Sequence, residues 1–147
     1  MRMIVIFLSI ILFSCVFCLA DSNVNMDKIT KIESRGNRHA VSSCGARGIR
    51  QMMPYTWARV TRELYGHSLP FRYSSVNRIA IRVSNYYMNV IIPRELRRYH
   101  VPVTTETKVA AYDCGPYGVK KAMRHKGNWE RHLPSETRGY LKKYHRA

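Results

Sequence analysis

Between Glu33 and Pro54 the chain gathers Glu33-Ser34-Arg35-Gly36-Asn37, Ala40, Ser42, Gly45-Ala46-Arg47-Gly48 and Gln51-Met52-Met53-Pro54, its densest run of unusual positions. One carboxylate heads it. A lone glutamate on a helix is ordinarily a solvated or paired surface charge. Glu33, however, follows Met26 and Ile29 at i, i+3 and i+7 spacing, so it shares a helix face with apolar residues. Burial against such neighbours disfavours the charged form and raises a carboxyl pKa, as an acid that gives up its proton near neutral pH requires. General acid–base chemistry is therefore the first expectation. Other chemistries find less support. Ser34 and Cys44 stand at no spacing that suggests a histidine base, and His39, His67, His100, His125, His132 and His145 are scattered without a ligand pattern. No metal or cofactor is expected.

The elements that must position Glu33 are short helices. A first helix carries Met26, Ile29 and Glu33, with Asn23 or Asn25 as its cap and Gly36 as its stop. Pro54 opens a second with Trp57, Val60 and Leu64 on one stripe, and Gly66 stops it. Capped by Ser74 or Ser75, a third aligns Val76, Ile79, Ala80, Val83, Tyr87 and Val90 until Pro93 ends or kinks it. Thr104 or Thr105 starts a fourth that runs into Gly115-Pro116, and Tyr117 to His125 forms another short helix. Ser135 caps a terminal helix with Glu136 in its first turn and Lys142, Lys143 and His145 near its end, the order a helix dipole favours. Strand signals are weak, with at most a small hairpin near Ser42 to Arg50. The expected fold class is mainly α.

Length and composition frame this domain. With 147 residues and no internal repeat, low-complexity tract or long linker, one domain over residues 21–147 is expected. Residues 1–20, one Arg before an apolar run that ends in small residues, have the layout of a secretory signal peptide. Residues 4–20 are also close to the shortest span that crosses a bilayer, so an anchored form stands beside cleavage after Ala20. The expected location is exported, periplasmic or extracellular. Outside the leader only Cys44 and Cys114 remain, which permits one disulfide in an oxidising compartment and equally fits two small buried thiols. Residues 21–147 carry 24 Lys and Arg against 9 Asp and Glu. An anionic partner follows, and an exported chain meets wall polymers and phospholipid head groups before nucleic acid. No aromatic and basic pattern for base stacking is present, so nucleic acid is not expected.

The segment ESRGNRHAVSSCGARGIRQMMPYT, Glu33 to Thr56, resembles the pattern of SLT-type lytic transglycosylases, E-S-x-x-N-P-x-A-x-S-x-x-G-A-x-G-L-M-Q-x-M-P-x-T, without a gap. Ala111-Tyr112-Asp113-Cys114-Gly115-Pro116 is similar to the family's A-Y-N-A-G-P. Pro134-Ser135-Glu136-Thr137-Arg138-Gly139-Tyr140 resembles its late element, a Pro followed by Glu-Thr and an aromatic. The three stand in the family's order.

What the resemblance implies is a lysozyme-like helical domain with a groove for a glycan strand of peptidoglycan, acting as a monomer. The family's catalytic glutamate falls on Glu33. Ser42, Gln51 and Met53 match residues that line the sugar cleft, Tyr112 the tyrosine that hydrogen-bonds or orients the glutamate, and Glu136 a late carboxylate. The implied reaction cleaves the β-1,4 bond between N-acetylmuramic acid and N-acetylglucosamine and leaves a 1,6-anhydromuramic end. Three positions depart from the pattern: Arg38 stands for Pro, Arg50 for Met and Asp113 for Asn. Arg38 and Arg50 are read as loop residues or as ligands for carboxylates of the substrate. Because most glycosidases use two carboxylates, Asp113 keeps a muramidase-type hydrolysis open as the alternative. An inactive cationic wall-binding module is the other alternative.

Overall fold

The computed structural model describes residues 23–125 and 127–147; the signal-peptide and anchor expectations for residues 1–20 lie outside them. The chain is built from α1 (Met26–Ser34), α2 (Pro54–Tyr65), α3 (Asn77–Tyr86), α4 (Ile92–Arg98), α5 (Thr105–Met123) and α6 (Ser135–Arg146). This is the mainly α fold expected. Among the described residues no helix is long and apolar enough to cross a membrane.

Local chemistry sets most boundaries. The Asn25 side chain accepts from the Asp27 and Lys28 amides at 3.0 and 3.3 Å, satisfying donors that the first turn of α1 leaves free. Thr104 and Thr107 cap α5 reciprocally, each side chain accepting the other's backbone N–H. Pro54 opens α2 and Gly66, in the left-handed region at φ 79°, closes it. At the start of α6 the expectation shifts by one residue: Pro134 holds the cap position and Ser135 is the first helical residue.

The third helix departs from its expected stripe. Tyr87–Ile91 form a π turn, in which the Ile92 N–H reaches back to the Tyr87 carbonyl. The extra residue rotates the face, so Met88, Ile91 and Ile92 are fully buried while Val90 is 39% exposed. Val76 lies outside the helix as its cap and is 44% exposed. Pro93 does not end the helical path, which continues as α4 to Arg98. A proline ring collides with the carbonyl four residues back, and the wider π turn just before Pro93 relieves that crowding.

Gly115 (φ 77°, ψ 157°) breaks α5 into two helical halves, as the Gly-Pro pair requires. The first half brings fully buried Val109, Ala110 and Ala111 into the core, where their small side chains let α5 pack closely against α4 and α6. Trp57, Val60, Val83 and Leu96 fill the space around them. The Trp57 indole is not left polar and unpaired, since its Nε1 donates to the Leu69 carbonyl at 3.0 Å. In place of the expected hairpin, the 41–52 segment makes isolated bridges, Val41 with Arg47 and Arg47 with Met52.

Candidate active site

Glu33 stands in the last turn of α1, immediately before the chain reverses through Arg35 (φ 54°) and Gly36 (φ 83°). Ser34 fastens this helix end to the following loop: its hydroxyl donates to the Ile49 carbonyl at 2.9 Å and accepts from the Gly36 N–H at 3.1 Å. The loop returns through Gly45 and Gly48, both in the left-handed region. At Gly48 nothing larger fits, since a Cβ would sit 2.0 Å from the Ser74 carbonyl oxygen. Gln51 is also left-handed (φ 45°), and its amide nitrogen donates to the carbonyls of Ala40 and Gly48 at 3.1 and 2.8 Å.

This folding produces a cleft of about 420 Å³ lined by Glu33, Ser42, Gln51, Met53, Tyr112, Asp113 and Glu136, with Cys44, Cys114 and Thr137 beside them. All seven residues singled out in the sequence meet in this one space. Their duties differ. The Ser42 hydroxyl accepts from the Ala46 N–H at 3.0 Å and Gln51 braces the loop, so both hold the wall they line. Met53 is 42% exposed at the head of α2, and Glu136 is exposed in the first turn of α6. A smaller recess lined by Gln51, Met53, Thr56, Tyr87, Tyr112 and Asp113 opens beside the cleft.

The carboxyl of Glu33 is the most altered acid of the cleft. Burial raises its pKa to about 7; the Asp113 carboxylate adds to the rise, while a Tyr140 hydrogen bond, Lys143 and Arg50 oppose it. The Tyr140 hydroxyl donates to Glu33 Oε1 at 2.6 Å, and burial holds this phenol far above its ordinary range, so it stays a donor. Asp113 is also raised by burial, against a hydrogen bond that its Oδ2 accepts from Thr137 at 2.6 Å. Glu33 is thus poised to take up or release its proton near neutral pH within a space a ligand can enter.

Several expectations are corrected by this geometry. Tyr112 does not hydrogen-bond the glutamate: its hydroxyl donates to the Arg50 carbonyl at 2.8 Å and lies 3.5 Å from Met52 Sδ. The tyrosine on the carboxyl is Tyr140, the aromatic of the late Pro134–Tyr140 motif. Spacing carried a signal for it, because Thr137, Tyr140, Leu141 and Tyr144 form the buried stripe of α6. Arg50 is not a loop-exposed residue but only 4% exposed, whereas Arg38 is exposed and donates from Nε to His39 Nε2 at 2.9 Å. Cys44 and Cys114 are free thiols. Among the described residues no group of three His, Cys, Asp or Glu assembles as a metal site.

A larger cleft, about 760 Å³, opens between α1 and α6 and is lined by Asp27, Lys31, Arg35, Lys143 and Arg146 among others. It holds neither Glu33 nor any other residue of the cleft just described, so size does not mark the chemistry here.

The family model described as the transglycosylase SLT domain matches residues 23–133, and the chain belongs to that family. At family level this is a peptidoglycan-cleaving domain whose substrate is the glycan strand. Searches of curated proteins and of solved structures gave no match. The family match ends before α6, the helix that supplies Thr137 and Tyr140.

Proposed function

We propose that this chain is a lytic transglycosylase that cleaves the β-1,4 bond between N-acetylmuramic acid and N-acetylglucosamine, with Glu33 as both acid and base. The observation that carries the reading is the Glu33 carboxyl itself, raised to about 7 by burial and opening on the cleft that bears the family motifs. In the first step its proton passes to the glycosidic oxygen, the bond from that oxygen to the muramic C1 breaks, and a carboxylate remains on Glu33. In the second, the same carboxylate takes the proton of the sugar's C6 hydroxyl while the C6 oxygen bonds to C1. The anhydro ring closes, the glutamate is protonated again, and no water is consumed.

Ser42, Gln51, Met53, Tyr112 and Glu136 are assigned to the sugar-binding cleft. Asp113 gives a second reading some weight. It lines the same cleft as Glu33 and would be the carboxylate that activates water in a hydrolase. Its hydrogen bond from Thr137 favours instead a fixed wall residue that takes the place of the family's Asn. The cationic cleft between α1 and α6 supports contact with anionic wall polymers, and the leader-like residues 1–20 support export. Glu33→Gln tests the assignment on purified sacculi. Release of soluble muropeptides is expected to fall by orders of magnitude, and release at the wild-type rate would refute it.

A further inference from the structure

Arg50 is a buried cation with unused donors. Its Nε and Nη1 are shielded from solvent and meet no hydrogen-bond partner among the described residues, and neither of the ion pairs Arg59–Glu95 and Arg94–Glu63 involves it. Such burial is unfavourable unless something offsets it. Its backbone is held from both sides: Ser34 donates to the carbonyl of Ile49 and Tyr112 to that of Arg50 itself, at 2.9 and 2.8 Å. Ser34 is the residue after Glu33, and Tyr112 lines the Glu33 cleft. The Arg50 backbone is therefore fixed between the segment that follows the acid and a residue that lines its cleft, with the guanidinium buried beside them. The carboxylates that act on it are Asp27 and Glu33, both from α1, and the neutral phenols of Tyr112 from α5 and Tyr140 from α6 are its other titratable neighbours. Glu33 in turn meets Tyr140 and Lys143 from α6 and Asp113 from α5.

We propose that Arg50 is a positioning residue for Glu33: a guanidinium with no ion pair among the described residues, so that its field stabilises the carboxylate formed when the acid gives up its proton. The proposal rests on the reading of Glu33 as the acid. While Glu33 is protonated, Arg50 meets no full charge there; once the proton has moved to the glycosidic oxygen, the new anion faces a cation already in place. An interaction stronger after proton transfer than before it lowers the barrier to that transfer, and a preorganised buried group exerts it without rearranging. The same field makes the carboxylate a weaker base for the C6 hydroxyl, so Arg50 speeds the acid step at the expense of the base step. The family pattern carries Met at this position, which makes the effect a property of this chain.

The test is a ¹³C NMR pH titration of the Glu33 carboxyl in the intact protein, assigned with Glu33→Gln. Arg50→Met restores the family residue, Arg50→Gln is a second neutral replacement in case Met packs poorly, and Arg50→Lys keeps the charge. The neutral variants are expected to move the Glu33 midpoint upward, by less than the roughly 1–3 units that a directly paired opposite charge gives. Arg50→Lys stays nearer wild type. The upper-pH limb of muropeptide release should follow the same order, with KM unchanged. A midpoint that stays put in both neutral variants, or moves equally in all three, overturns the proposal even if the enzyme is active. Midpoints that move in a protein that releases nothing from sacculi would leave the field of Arg50 in place and refute the activity instead.

Discussion

The two walls of the Glu33 cleft are made in different ways. The loop wall, Ala40 to Met53, is held by its own backbone: Ser42 N–H bonds the Ala46 carbonyl at 3.0 Å, and Arg47 and Met52 exchange bonds at 3.1 and 3.2 Å. Left-handed residues turn it, and much of its surface, Ser43, Cys44 and Met53 included, is exposed. The helical wall of α5 and α6 is held by side chains. Thr137 fixes Asp113, Tyr140 reaches Glu33, and the bodies of Thr137 and Tyr140 are buried in the bundle. The first wall sets the shape of the cleft. The second adjusts the proton affinity that burial raises, because it supplies the closest donor and the neighbouring carboxylate, while the buried Arg50 acts on the same acid from the loop side. Arg50 apart, shape and proton chemistry are therefore separable by mutation.

The largest effect is expected where the walls meet. Glu33→Gln removes the proton donor and should lower muropeptide release by about 10²–10⁴-fold, the usual scale of general acid–base catalysis, measured as soluble product from sacculi. The same change should stabilise the fold at neutral and alkaline pH. The folded pKa of about 7 lies above the ordinary glutamate value of 4.5, so the folded state binds this proton more tightly than the unfolded state. Stability from that proton is fully present below 4.5 and is lost as pH rises through about 7. The loss above 7 is at most about 3 kcal/mol. Thermal melts at pH 5 and pH 8 check this: the Gln variant should gain on wild type only at the higher pH.

Breaking the loop wall alone should act through the fold. Gly48→Ala forces a Cβ against the Ser74 carbonyl at a left-handed position, at a cost of about 2–4 kcal/mol. Thermal midpoint and activity should fall together, with no shift in the pH profile. Breaking the helical wall should do the reverse. Tyr140→Phe deletes one hydrogen bond to Glu33 and leaves the packing, so kcat should fall about tenfold. That bond lowers the Glu33 pKa, and without it the upper limb of the pH profile should move to higher pH. A Tyr140→Phe enzyme with a wild-type profile would contradict the division of labour.

The same contrast explains what could be read from the sequence. The loop wall lies within one unbroken stretch of chain, and its caps, glycines and Pro54 are local signals with local causes. Helix starts at Asn25, Pro54 and Thr104 follow from hydrogen bonds or ring geometry a few residues away, so they were legible. The π turn was not, because an alternating apolar stripe reads the same until an added residue rotates it. Nor was the Tyr140 contact, which joins residues 107 apart in sequence and is settled by how α6 packs on α1. Arg50 was the least legible: in a run of loop residues a charged side chain reads as exposed, and only tertiary packing buries it.

The most direct test of the account is the mass of the muropeptides released by the wild-type protein from purified peptidoglycan. If Glu33 serves as acid and then as base for the C6 hydroxyl, every new muramic end is anhydro and lighter than a hydrolysed end by one water. New ends that carry the added water, and so reduce with borohydride, would contradict it and assign water activation to a second group, with Asp113 the first to examine.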